Sequence, residues 1–190
     1  MVPANDSGQL IPAHGGYRNL QSYQMAEIVF DATTVFCKRF VDSRSRTTDQ
    51  MVQAARSGKQ NIAEGSMASG TSRKIELKLV GIARASLEEL LIDYQDFLRQ
   101  KALPLWTKDN PQAKKIRGLV YEKNRSYMTY KTYIESSPPE VAANTAICLI
   151  HQTNYLLDQQ LRALEKEFLE EGGFTERLYR IRSQKRQENK

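Results

Sequence analysis

Three observations predict an all-α protein, folded as an antiparallel up-down four-helix bundle with an inserted short helix and a C-terminal basic helix. Apolar residues recur at steps of three and four along four long segments. The 10 glycines and 6 prolines are sparse and cluster mainly between those segments. A chain of 190 residues, 40% hydrophobic and 26% charged, suits one folded domain with a sizeable core.

Residues 1–16 mix Pro3, Pro12 and Gly15-Gly16 with small polar residues and read as a flexible leader. Over about 17–41, Leu20, Tyr23, Ala26, Phe30, Thr33, Cys37 and Phe40 hold one stripe of a first helix. Thr47 and Gln50 have the spacing of a capping box and open a second. Its stripe, Met51, Ala54, Ala55, Gly58 and Ile62, is dominated by small side chains that let a neighbour approach. The run over 65–70 is expected to stop this helix, with Thr71 or Ser72 capping the next. It is no phosphate loop, since a helix precedes it and Thr71-Ser72 stand where Lys-Ser/Thr is needed. The third helix carries the longest stripe, Leu77, Val80, Arg84, Leu87, Leu91, Tyr94 and Leu98, up to Leu103-Pro104. Arg84, the odd member, either snorkels at an edge or pairs with an acid on a neighbour, of which snorkelling is the commoner.

Residues 104–139 break the pattern and read as an insertion. One short helix is expected there over about 111–133, with Pro111 following the cap Asn110 and with Ile116, Leu119, Val120 and Tyr127 facing inward. Ser137-Pro138-Pro139-Glu140 then predicts a capped start for the fourth long helix. Its stripe runs Ala142, Ala146, Leu149, Thr153, Leu156, Gln160, Leu164 and Phe168, and Gly172-Gly173 end both it and the bundle over 17–172. Residues 173–190 form a basic extension, with Thr175 capping a short helix. Six basic residues there face two acidic ones.

The 28 Lys+Arg outnumber the 22 Asp+Glu for a net charge of +6, which favours polyanionic partners. Cys37 and Cys148 are too few for a disulfide framework or a four-thiolate zinc site, so a reducing cytoplasm is the expected compartment. No basic cluster leads into an apolar run, and no run is long enough to cross a bilayer, so neither secretion nor membrane insertion is expected. Di-iron chemistry in a bundle requires Glu-x-x-His pairs, whereas His14 and His151 follow Ile11 and Cys148 at that spacing. No serine or cysteine has a motif supplying a base and an orienting group. Hence no catalytic residue, metal or cofactor is expected.

The segment 50–65, ending Asn61-Ile62-Ala63-Glu64-Gly65, resembles the signature of the four-helix-bundle family named after proteins encoded in intervening sequences of bacterial 23S ribosomal RNA. Ala83-Arg84-Ala85-Ser86-Leu87-Glu88-Glu89-Leu90 resembles that family's third-helix motif, with Ala85 where glycine is usual. Gln53 stands where an arginine is common, and the 104–139 insertion and basic tail exceed the compact bundle. The resemblance spans 17–103 and, by pattern, 138–171, and is nearest to variants with a C-terminal suffix region. It implies a non-enzymatic homopentamer, related to accessory proteins of diversity-generating retroelements that bind a reverse transcriptase and nucleic acid.

The expected function is therefore a homo-oligomer that holds RNA or DNA by backbone electrostatics, without base specificity. The candidate phosphate contacts are Arg44, Arg46, Arg56 and Lys59, Lys114, Lys115 and Arg117 in the insertion, and Arg177, Arg180, Arg182, Lys185 and Arg186 in the tail. Tyr121, Tyr127, Tyr130, Tyr133 and Tyr179 are expected to cover bundle or subunit contacts more than to stack on bases. Gln50, Asn61, Glu64, Ser86 and Glu89 are expected to make buried or interface hydrogen bonds that fix helix register. The alternative is a scaffold that binds another protein without nucleic acid.

Overall fold

A computed structural model describes residues 10–188, so residues 1–9 of the expected leader lie outside it. Seven α-helices follow a short 3₁₀ turn: α1 Gln21–Phe40, α2 Arg46–Ala68, α3 Arg73–Gln100, α4 Pro111–Gly118, α5 Tyr127–Glu135, α6 Pro139–Glu171 and α7 Phe174–Glu188. There is no strand among the described residues. Helices α1 to α6 pack together, whereas α7 has no extensive packing on any of them.

The long helices meet pairwise. α1 lies against α2 and α6, and α3 lies against the same two. Side-chain contacts fix their directions. Cys37 reaches Met51 and Phe30 lies under Lys59, so α1 and α2 run antiparallel. Arg84 reaches Asp158 and Arg73 reaches Glu171, so α3 and α6 do likewise. The buried Tyr94 hydroxyl donates to Thr33 across the core at 3.1 Å, and Tyr94 and Phe97 both meet Phe36 edge to face.

The small-residue stripe of α2 does what its composition predicts. Gly58 and Gly65 stand two turns apart on the face toward α3, and a methyl group on Gly58 would lie 2.6 Å from Leu87 Cδ2. The same stripe, Met51, Ala54, Ala55 and Ile62, is buried. Gly65 does not end the helix, because the tight α3 contact pins it in place and α2 continues to Ala68. Gly15 N–H donates to Ser66 O at 3.1 Å, so the described end of the expected leader lies against this end of α2.

Several local signals resolve differently from the sequence reading. Ser45, not Thr47, caps α2 by accepting from Thr47 N–H, which leaves Gln50 exposed. Ser137 caps nothing and donates to Thr132 O, while Glu140 accepts from the Trp106 indole at 3.0 Å, so α6 simply starts at Pro139. Glu176 rather than Thr175 serves the start of α7, accepting from Gly173 N–H. Ser72 and Asn110 cap α3 and α4 as read from the sequence. On α1 the core face takes Met25, Ile28, Val29, Ala32 and Phe36 as well as Ala26, Thr33 and Cys37, because α1 is enclosed by α2, α5 and α6.

The insertion holds two helices, not one. After α4 the chain passes through a 3₁₀ turn over Leu119–Tyr121, and Ser126 restarts it with a capping box to Thr129. Both helices pack on α6, and α5 also packs on α1. Consequently residues 142–150 of α6 are buried at every position, not only along one stripe. Asn144, 1% exposed, fastens the α3–α4 connection: its Oδ1 accepts from Trp106 N–H and its Nδ2 donates to Pro104 O.

Filling the Gly58 position tests the α2–α3 contact. Gly58→Ala gains helix propensity but overlaps Leu87, which is fully buried, for a net loss of about 1–2 kcal/mol. Leu87→Ala alone costs about 2–5 kcal/mol. In urea unfolding the double variant should lose less than the two singles together, since each change relieves the other's defect.

Candidate nucleic-acid interface

The candidate cations do not form one patch. Arg39 donates to Ser137 O beside the start of α6, so Arg44 and Arg46, which follow α1, belong to that end of the molecule. α4 lies along the same half of α6, where Gln152 Nε2 donates to Arg117 O at 3.0 Å. α7 follows the other end of α6, a helix about 50 Å long. Arg177, Arg180, Arg182, Lys185 and Arg186 are thus held far from Arg44, Arg46, Lys114, Lys115 and Arg117.

Some of these cations already have partners. Lys59 Nζ sits 4.5 Å over the Phe30 ring, Lys115 Nζ lies 5.7 Å from the Tyr133 ring, and Lys114 pairs with Asp109 at 3.2 Å. The Arg117 guanidinium donates to Lys108 O. Arg44, Arg46 and Arg56 are exposed, as are Arg180, Arg182, Lys185 and Arg186, while Arg177 is half-buried. Among the described residues none of these eight joins an ion pair.

The tyrosines divide in the same way. Tyr130 is fully buried, Tyr127 and Tyr133 are half-buried against the core, and Tyr121 and Tyr179 stand 88% and 76% exposed. Tyr127 donates to Glu135 at 2.9 Å. Three of the five therefore serve packing, and only Tyr121 and Tyr179 present open rings.

The five polar residues expected to fix helix register are not buried within the chain. Gln50, Glu64 and Glu89 are exposed, Asn61 and Ser86 are half-buried, and Asn61 bonds only one turn back, to Ser57 O. At 100° per residue, and with Gly58 against Leu87 and Gly65 against Leu79, all five lie on the outward side of the α2–α3 seam. The buried hydrogen bonds are made by other residues: Thr33 with Tyr94, Asn144 with the α3–α4 connection, and Ser22 with Gln160 at 2.7 Å. The sequence offered no signal for these, because each pairing depends on which distant helix arrives opposite.

Arg84 does not merely snorkel. Its guanidinium donates to Glu88 one turn on and to Asp158 on α6, while Asn154 Nδ2 joins it at Glu88. Arg84, Glu88 and Asp158 are partly exposed, so their ion pairs locate α3 against α6 more than they stabilise it. Cys148 is buried and burial pushes its thiol pKa up, whereas His151, three residues on, is exposed, so the two do not converge. Among the described residues no three His, Cys, Asp or Glu side chains converge as metal ligands. A cleft of about 230 Å³ between α1 and α5, lined by Glu27, Asp31, Arg125 and Tyr127, contains none of the candidate cations.

Glu76 gives this end of α3 a pH dependence. It is 7% exposed, and burial pushes its carboxyl pKa up against the smaller pull of Arg73, which is itself bound to Glu167 and Glu171. A raised folded-state pKa means the folded protein binds this proton more tightly, so the ionised carboxylate destabilises the fold above that pKa. Glu76→Gln should raise the urea midpoint at neutral pH. The gain should shrink as pH falls through the raised pKa toward the unfolded value of about 4.3.

No family model, curated protein or solved structure matches the chain, so the family resemblance rests on its sequence motifs alone.

Proposed function

We propose that α1, α2, α3 and α6 form an antiparallel four-helix bundle that self-associates and binds RNA or DNA through backbone phosphates, without catalysing a reaction. The observation that carries the nucleic-acid reading is α7: four exposed cations without ion pairs among the described residues, Arg180, Arg182, Lys185 and Arg186, on a helix that stands clear of the core. Contacts of this kind neutralise phosphates and release counterions, and self-association multiplies them. The family resemblance implies five copies and a nucleic-acid enzyme such as a reverse transcriptase as protein partner, and the two cysteines favour a cytoplasmic setting.

The scaffold reading is favoured by a different observation, the exposed Ile75, Ile82 and Ile92 on α3. Apolar side chains spaced along one outward face are a protein-docking feature, and they fit self-association equally well.

Fluorescence anisotropy of a generic single-stranded oligonucleotide separates these readings. Affinity should fall steeply with salt, and the log–log slope should shrink by about 0.7 for each phosphate contact removed. Replacing Arg180, Arg182, Lys185 and Arg186 together by Gln should lower that slope and weaken binding while leaving the mass by light scattering unchanged. Affinity independent of salt, or unchanged by the fourfold replacement, would leave the scaffold reading in its place.

A further inference from the structure

α3 carries two faces with heptad-like spacing. One, from Val80 through Leu87 and Tyr94, is consumed by the core. The other, Ile75, Lys78, Ile82, Ala85, Glu89, Ile92 and Asp96, alternates steps of three and four on the outward side. Its first six residues are exposed, with Ile75, Ile82 and Ile92 at 49%, 40% and 52%. Among the described residues no helix packs extensively on this face: α2 and α6 flank it, and the α4–α5 insertion packs on α6 and α1.

Charge along this face is ordered. Lys74 and Lys78 stand toward the N-terminal end, Glu89 and Asp93 toward the C-terminal end, and none of the four forms an ion pair among the described residues. Burial raises the Asp93 carboxyl pKa, and Glu89 and Asp96 add to the effect. Such a stripe is complementary to its own reverse.

We propose that α3 pairs with α3 of a second copy, antiparallel about a two-fold axis that passes between positions 83 and 84. One register pairs six of the seven outward positions at once. Ile75 packs on Ile92 of the second copy, Ile82 on its Ala85, and Lys78 meets its Glu89. The two-fold repeats each contact. Small residues fall around the axis, where the backbones approach most closely, and apolar and charged layers alternate outward from it. A parallel pairing in register would instead set lysine on lysine and glutamate on glutamate. The inference rests on the self-association proposed above but not on five copies, because an isologous contact of this kind closes in even numbers.

Disulfide trapping tests the register in the full chain. Ile75→Cys and Ile92→Cys variants are mixed, oxidised with diamide and run on a non-reducing gel. A cross-linked dimer should form in the mixture and in neither variant alone, since like positions lie about 25 Å apart in this register. The natural cysteines are buried and do not compete. By light scattering, Lys78→Glu and Glu89→Lys should each lower the mass toward the 21.7 kDa of one chain, and the double variant should restore it. A monomeric wild type would overturn this pairing and the proposed self-association together. A wild-type oligomer that gives no mixed cross-link, or a cross-link in either variant alone, would overturn the α3 pairing and leave self-association through another surface.

Discussion

The burial of α6 on every side between residues 142 and 150 organises the other helices. A helix that hides all of its faces must be surrounded, and α1, α3, α4 and α5 each supply one wall. Small residues make this possible, since Ala142, Ala143, Thr145 and Ala146 let four neighbours close in without voids. The polar member with the most at stake is Asn144, whose amide would cost free energy if left unpaired in such a place. It is paired on both sides, and in being paired it holds the α3–α4 connection against α6. The insertion is therefore part of the packed structure and not an appendage.

That arrangement also decides what remains uncovered. The insertion walls α6 by lying on the α1–α6 side, which leaves the outward surface of α2 and α3 without a packed helix among the described residues. Apolar residues there, and polar groups such as Asn61 and Glu64 that find no buried bond, are what a surface looks like before a second molecule meets it.

Much of the helical framework was legible in the sequence, and the reasons it was legible also explain the misses. Spacing located all four long helices because each is amphipathic, and glycine on α2 announced the close approach of α3. Spacing failed at the insertion, where two short helices separated by eight residues keep enough apolar periodicity to read as one. It also failed at 142–150, since complete burial erases the stripe that periodicity detects. Capping signals were ambiguous wherever several hydroxyls or acids stood near one helix start, as at Ser45 and Thr47. The cations were easy to find and hard to place: adjacency in sequence put Arg44 and Arg46 in one tally with Arg180 and Arg182, and only the length of α6 shows that they occupy opposite ends.

The separation of the two basic groups has a structural consequence when it is joined to the direction of the α3 stripe. In a single chain, the α7 cations and the Arg44–Arg46 and α4 cations sit at opposite ends and cannot engage one short stretch of phosphates. An antiparallel pair reverses one copy relative to the other. Each end of the pair then carries α7 from one chain beside the α1–α2 connection and α4 of the second, so both ends present both sets of cations. Phosphate binding and self-association would then be linked thermodynamically even though no candidate phosphate contact lies on the α3 stripe. A polyanion spanning the two sets at one end favours the paired state, and pairing raises its affinity by the same factor.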